Sequence, residues 1–230
     1  MRWRVALIDS CGSRPEAVDA AAFVTAPGRI ECRQAGADPT GHGSRIAEVL
    51  TRDRSVELLL GQVFTSEGPT SGAAVAAAID WAIARRADVI HLSLGLAGNR
   101  AVLAAAVGRA IDADCILVAA APARGALVYP AAYAGVIRAT GDARCAPEEL
   151  SCLAPGLFGA CPRFEPTGQL GAGSARVGGA SAGAAWVTRA VIAGPTRVTS
   201  RDVVAALTAR ARFLGPERKT SATWNPRPCP

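Results

Sequence analysis

The sequence predicts an α/β protein, a three-layer αβα sandwich around a mostly parallel sheet. Two observations carry this. Strand-like and helix-like segments alternate along most of the chain, and the strand-like segments are apolar at successive positions rather than every second one. A strand buried on both faces belongs in a parallel sheet covered by helices above and below. Trp3–Asp9 is the first such strand, with Val5, Ala6, Leu7 and Ile8 in one run. Ser44–Arg52 reads as a helix with Ile46, Val49 and Leu50 on one face. Val56–Phe64 is a leucine-rich strand bounded by charge and glycine. Ser71 is placed to cap a helix running to about Arg86, in which Val75, Ile79, Trp81 and Ile83 recur near helical spacing. Asp88–Leu94 is a continuous apolar strand stopping at Gly95. Arg100–Asp112 is the next helix, with Asn99 and Arg100 expected to cap it. Cys115–Ala121 and Val136–Thr140 complete the strands, and Gly179–Ile192 and Arg201–Arg212 the helices. Residues 141–178 are rich in glycine, proline and cysteine, with little periodicity, and are expected to form an irregular excursion. Residues 1–214 are read as one domain, and 215–230, with four prolines, as an extended tail.

At 230 residues the chain is long enough to bury a full core. No apolar run reaches the roughly 18 residues that suggest a membrane span, and the N-terminal apolar run is too short for a secretory signal. A cytoplasmic protein is expected. The net charge of +6 rests on arginine, since Lys219 is the only lysine. No arginine run is interleaved with aromatics, so a solvated basic surface is favoured over a nucleic-acid groove. Seven cysteines in a chain without an export signal are expected to be reduced. Cys145, Cys152 and Cys161 cluster in sequence, but without a C-x-x-C pair or a nearby histidine. A disulfide there, or ordinary packing, is favoured over structural zinc. No metal or cofactor is expected. A nucleotide-binding sheet is disfavoured because no glycine fingerprint or P-loop follows the first strand.

Gly179-Ala180-Ser181-Ala182-Gly183 at a helix start is a candidate nucleophile segment. An α/β-hydrolase elbow requires its histidine after the serine. His42 and His91 are the only histidines and both precede it. The base is therefore sought in His42, between Gly41 and Gly43 at a helix start. His91, inside an apolar strand, reads as a core histidine. Asp9, closing the first strand, can fix a histidine's tautomer. A helix N-terminus is expected to lower the pKa of His42. At Ser181 it places a backbone N–H and positive potential beside a developing oxyanion.

Val5–Ser10, Asp38–Ser44 and Gly179–Ala185 resemble the aspartate, histidine and serine segments of the subtilisin-like serine peptidases. Val89–Gly95, and Leu117–Ala121 with Tyr129–Tyr133 and Val136-Ile137 after it, fit the same family in order. The resemblance implies a subtilisin-like fold and a triad of Asp9, His42 and Ser181. It implies an extended substrate paired along Ser93, Leu94 and Gly95, and a pocket walled by Ala119, Ala120 and Ala121. The family's oxyanion asparagine is missing, because Pro122-Ala123 stands where Gly-Asn is usual. Loss of that donor costs about 10²–10³ in rate in a subtilisin. Arg124 next to it is a candidate replacement, beside the Ser181 N–H. Ala180, Ala182, Ala185, Arg45 and Cys11 are further departures. With the aspartate strand at its start, the chain is expected to carry no pro-segment, and no acidic cluster resembling a calcium loop is read in it. The resemblance therefore implies a cytoplasmic maturation peptidase that removes a leader from a polypeptide precursor, with that precursor's modifying enzyme as a possible partner and no nucleic acid or membrane. The alternative is a catalytically weak homologue serving as a binding scaffold.

Overall fold

The computed structural model describes residues 2–53, 55–164, 178–196 and 198–217. Its elements in chain order are β1 (Arg4–Asp9), β2 (Ala17–Ala26), β3 (Arg29–Gln34), α1 (His42–Thr51), β4 (Glu57–Gln62), α2 (Gly72–Ala84), β5 (Val89–Leu92) and α3 (Ala101–Asp112). β6 (Ile116–Ala120), β7 (Ile137–Gly141), β8 (Leu150–Ala154), β9 (Leu157–Ala160), α4 (Gly179–Ile192), α5 (Ser200–Arg210) and β10 (Phe213–Leu214) follow. The strands form one sheet in the order β10-β8-β9-β7-β6-β5-β1-β4-β2-β3. Only β2–β3 and β8–β9 pair antiparallel. The expected αβα sandwich is what the chain forms.

The unbroken apolar runs divide between two layers, as side-chain alternation requires. Val5 and Leu7 of β1 pack with α1, α4 and α5, whereas Ala6 and Ile8 pack with α2 and α3. Leu58 and Leu60 of β4 go to the first layer and Leu59 to the second. β1 lies between β4 and β5, so the chain crosses over it on passing from β4 through α2 to β5. Ligand sites of open α/β sheets lie at the carboxyl ends of strands beside such a reversal, and Asp9 closes β1 there.

Ser71 caps α2 as expected, accepting from the Ala74 N–H. Arg100 is the N-cap residue of α3, as expected, but no side-chain capping hydrogen bond accompanies it. The Tyr133 hydroxyl steadies the chain entering the helix, accepting from the Arg100 N–H at 3.3 Å and donating to Asn99 Oδ1 at 2.9 Å. α5 begins with a capping box between Thr199 and Asp202. The β2–β3 hairpin and the β8–β9 pair were not anticipated. Pro27-Gly28 turns the first, Gly28 taking φ 73°, where glycine is at ease. The stretch 141–178 is therefore not wholly irregular: its first part supplies β8 and β9, and residues 165–177 lie outside the described residues. Of the expected tail, 218–230 likewise lie outside them.

α4 sits hard on the sheet. A methyl group at Gly183 would lie 2.0 Å from the Thr140 carbonyl oxygen of β7, so no side chain fits between helix and strand. Gly108 in α3 faces open space. Gly183→Ala is expected to cost at least about 1–3 kcal/mol through overpacking, whereas Gly108→Ala should gain about 0.5–1 kcal/mol through helix propensity. Denaturant melts of the two variants check this; equal shifts would refute the close helix–sheet contact.

Candidate active site

Asp9 is 1% exposed at the end of β1. Its Oδ1 accepts from the Ser10 N–H at 2.6 Å and lies 2.8 Å from His42 Nδ1. A carboxylate beside Nδ1 holds the proton on that nitrogen and turns Nε2 outward as a free acceptor. The His42 side chain is 36% exposed, so the pair presents its basic end to solvent and keeps its acidic end inside.

The loops around this pair are held by polar side chains. α1 has Gly41 as its N-cap residue, which has no side chain to cap with. Asp38 does the work from further upstream. Its Oδ1 accepts from the Thr40 and Gly41 N–H groups, and its Oδ2 from the Ser44 N–H and hydroxyl. Burial opposes the Asp38 charge, yet the hydrogen bonds from Ser44 and its neighbours pull its pKa down to about 2. Ser10 Oγ accepts from the Gly43 N–H at 3.0 Å and lies 2.8 Å from Thr40 Oγ1. At the end of β4, Gln62 donates to the Ser10 and Ala37 carbonyls and accepts from the Gly36 N–H. It stitches the β1–β2 loop to the segment before α1. Gly43 must be glycine, since a Cβ there would lie 2.3 Å from the Cys11 nitrogen.

The pKa of His42 moves the other way from the expectation drawn from its helix position. The Asp9 hydrogen bond raises it above 6.5 against the opposing effect of burial, and the Asp9 and Asp38 charges add to the rise. A carboxylate in contact outweighs a helix terminus because it carries a full charge at hydrogen-bond distance. His91 is fully buried; desolvation pushes its pKa down to about 3, so it is neutral. Its Nδ1 lies 2.8 Å from Thr188 Oγ1 of α4, while its Nε2 has no partner among the described residues.

Ser181 is half-buried in the first turn of α4. Phe164 lies between that helix start and His42. Its ring meets the imidazole edge-on at 5.9 Å between centroids, and a methyl group at Gly178 would sit 2.5 Å from its Cε2. Among the described residues, Ser181 Oγ makes no hydrogen bond. The structure thus joins Asp9 to His42 directly, with Phe164 close to both His42 and the start of the serine helix. Ser93 and Leu94 are buried and Gly95 is exposed; Ser93 Oγ has no partner among the described residues. Ala119 and Ala121 pack into the α2–α3 layer and Ala120 into the α1–α4 layer. Arg124 lies in the exposed loop 122–127 and makes no hydrogen bond or ion pair among the described residues.

Cys145, Cys152 and Cys161 are free, so ordinary packing, not a disulfide, accounts for them. Burial pushes the thiols of Cys11 and Cys145 up to about 11, which keeps them protonated and unreactive. Among the described residues no group of three His, Cys, Asp or Glu side chains is placed to hold a metal ion, and no helix is long and apolar enough to cross a membrane.

Fold and site geometry together define an α/β sandwich with a carboxylate–imidazole pair at the carboxyl edge of its central strand. No family model matches the chain. A thermostable alkaline protease of Halalkalibacterium halodurans is 36% identical over 112 residues, 44% of this chain and 31% of that protein. Subtilisin DY of Bacillus licheniformis is 32% identical over 116 residues, 44% of this chain and 42% of its own. The chain spans less than half the length of these curated relatives. Among solved structures, the prenylagaramide maturation protease PagA superposes with a TM-score of 0.57 at 19% identity, covering 83% of this chain and 73% of its own. Fervidolysin from Fervidobacterium pennivorans, a keratinolytic enzyme related to subtilisin, gives 0.56 at 20% identity, covering 83% of this chain and 35% of its own. The fold is subtilisin-like, and the chain resembles the subtilisin-like serine peptidases in sequence as well.

Asp38→Ala removes the acceptor for the first turn of α1 and is expected to cost about 1–2 kcal/mol, or about 2–8 °C in melting temperature. With a depressed folded pKa, Asp38 contributes its stability above the ordinary carboxylate range and loses it as pH falls toward about 2. Thermal melts from neutral to acid pH check both; an unchanged melt at neutral pH would show that Asp38 does not hold the helix start.

Proposed function

We propose that this protein is a serine endopeptidase in which Ser181, His42 and Asp9 form the triad. The observation that carries this reading is the 2.8 Å contact between Asp9 Oδ1 and His42 Nδ1, with the carboxylate buried and the imidazole half-exposed. Ser181 Oγ forms a bond to the scissile carbonyl carbon while its proton passes to His42 Nε2. The tetrahedral intermediate collapses, the C–N bond breaks, and the leaving amine takes that proton. Water then repeats the sequence on the acyl-enzyme. The negative oxygen is held by the Ser181 N–H at the start of α4 and by the Arg124 guanidinium. Ser93, Leu94 and Gly95 receive an extended polypeptide, with Ala119, Ala120 and Ala121 beside the residue preceding the cut. Catalysis needs closure of the His42–Ser181 contact on binding, since catalytic hydrogen bonds often tighten only with substrate present.

The client is a leader-bearing precursor, cut in the cytoplasm during maturation of a modified peptide or small subunit. The modifying enzyme is a further partner. The peptidase that removes the leader in quinohemoprotein amine dehydrogenase maturation is a precedent of this kind. Similarity in fold to a protein named as a maturation protease supports the maturation role. No metal or cofactor takes part, and neither nucleic acid nor membrane is a partner. A second reading, a binding scaffold without turnover, is favoured by Pro122-Ala123 at the oxyanion position and by a Ser181 hydroxyl that makes no hydrogen bond among the described residues. Residues 1–214 constitute the peptidase domain.

A fluorophosphonate probe is expected to label wild-type protein at Ser181, and Ser181→Ala should abolish labelling. Wild-type protein that binds a precursor yet never labels would favour the scaffold. The labelling rate should rise with pH through a value above 6.5, because His42 must be neutral and its pKa is raised. Asp9→Asn should move that rise to lower pH and slow the reaction by about 10³–10⁴. An unmoved rise would show that Asp9 does not set the basicity of His42.

A further inference from the structure

Arg189 is a charged side chain only 6% exposed, on the α4 helix that starts with the serine segment. It does not point to solvent. Its Nη1 donates to the Val49 carbonyl at 3.2 Å and to the Arg52 carbonyl, both at the end of α1. Its Nε and Nη2 donate to Glu148 Oε1 at 3.1 and 2.9 Å, from the loop between β7 and β8. The last carbonyls of a helix have no partner within it. Here a guanidinium from a neighbouring helix supplies one, and its charge suits the negative end of the α1 dipole. The preceding residue, Thr188, meets His91 of β5. Two consecutive residues of α4 therefore fasten it, one to the sheet and one to α1.

The geometry of the two helices gives this fastening a consequence. Both start at the carboxyl edge of the sheet and pack in the same layer. His42 precedes Val49 by seven residues and Ser181 precedes Arg189 by eight. At 1.5 Å rise per residue these are lever arms of about 10 and 12 Å. Pinning Arg189 to the end of α1 therefore brings the two starts to nearly the same depth. A slide of α1 along α4 would separate the imidazole from the hydroxyl, and misplacement by about 1 Å can cost roughly 10²-fold in rate.

We infer that Arg189 is a positioning residue that fixes the axial register of the histidine helix against the serine helix. The inference rests on the proposed pairing of His42 with Ser181. A guanidinium suits the task because its planar fork of five donors reaches two carbonyls and a carboxylate at once, whereas an ammonium is a single point charge.

The test is fluorophosphonate inactivation of the full chain, separating the maximal inactivation rate from the probe's apparent affinity, at a temperature well below every variant's melt. Arg189→Met is expected to lower the maximal rate by about 10-fold or more with the affinity changed less than about twofold. Arg189→Lys should recover part of the rate. Glu148→Gln, altering an exposed partner, should fall between wild type and Arg189→Met. A merely structural role would lower the melting temperature of Arg189→Met and leave its maximal rate within about twofold of wild type, and that result would overturn the inference. Should Arg189→Met fail to fold, wild-type rates in both Arg189→Lys and Glu148→Gln would overturn it equally. Wild-type protein that does not label at all would instead remove the proposed function, and this inference with it.

Discussion

The site depends on how closely the start of α1 approaches the end of β1. The Gly43 N–H reaches Ser10 Oγ, and any side chain at Gly43 would strike the Cys11 backbone. That contact carries His42 into hydrogen-bonding range of a carboxylate that is almost wholly inside the protein. Without it Asp9 would be a buried charge lacking its imidazole partner, a costly state. The surrounding polar bonds from Ser10, Asp38 and Gln62 all serve to fix the two loops that make the approach possible.

The electrostatics follow from this packing. Asp9 Oδ1 meets both the imidazole and the Ser10 N–H, and the imidazole gains basicity in return. His91, one strand away, shows the opposite outcome: without a carboxylate its burial suppresses protonation. The two histidines thus differ in charge behaviour because one has an anionic partner and the other only a threonine hydroxyl. The far end of the same layer is fastened in a related way, with the buried guanidinium of Arg189 meeting carbonyls at the end of α1 and the carboxylate of Glu148. Polar contacts at both ends of α1 flank an apolar middle of Ile46, Ala47, Val49 and Leu50.

Much of the fold was legible because doubly buried strands advertise themselves. Val5–Ile8, Leu58–Leu60 and Ile116–Ala119 have no polar face to hide, Val89–Leu92 interrupts its apolar run only with the buried His91, and α4 was legible from Gly179 to Ile192 without error. The β2–β3 hairpin was not, because the small alanines of β2 and the charged, exposed positions of β3 give no clear period; β3 pairs at the sheet edge, where little burial is demanded. β8 and β9 were hidden by the surrounding glycine and proline, which normally interrupt strands. They form because each supplies backbone partners to the other, while β9 also pairs with β7 and β8 with β10.

The sequence by itself determined the layer architecture, the order of the candidate residues and the placing of Asp9 and Ser181 at element ends, since periodicity and small-residue segments are local properties. Only the tertiary structure decided which way the pKa of His42 moves, what caps α1, that the cysteine cluster is ordinary packing, and that Arg189 is buried between two helices. Each of these depends on groups far apart in the chain meeting at hydrogen-bond distance, and a contact of that kind leaves no periodic trace in the order of residues.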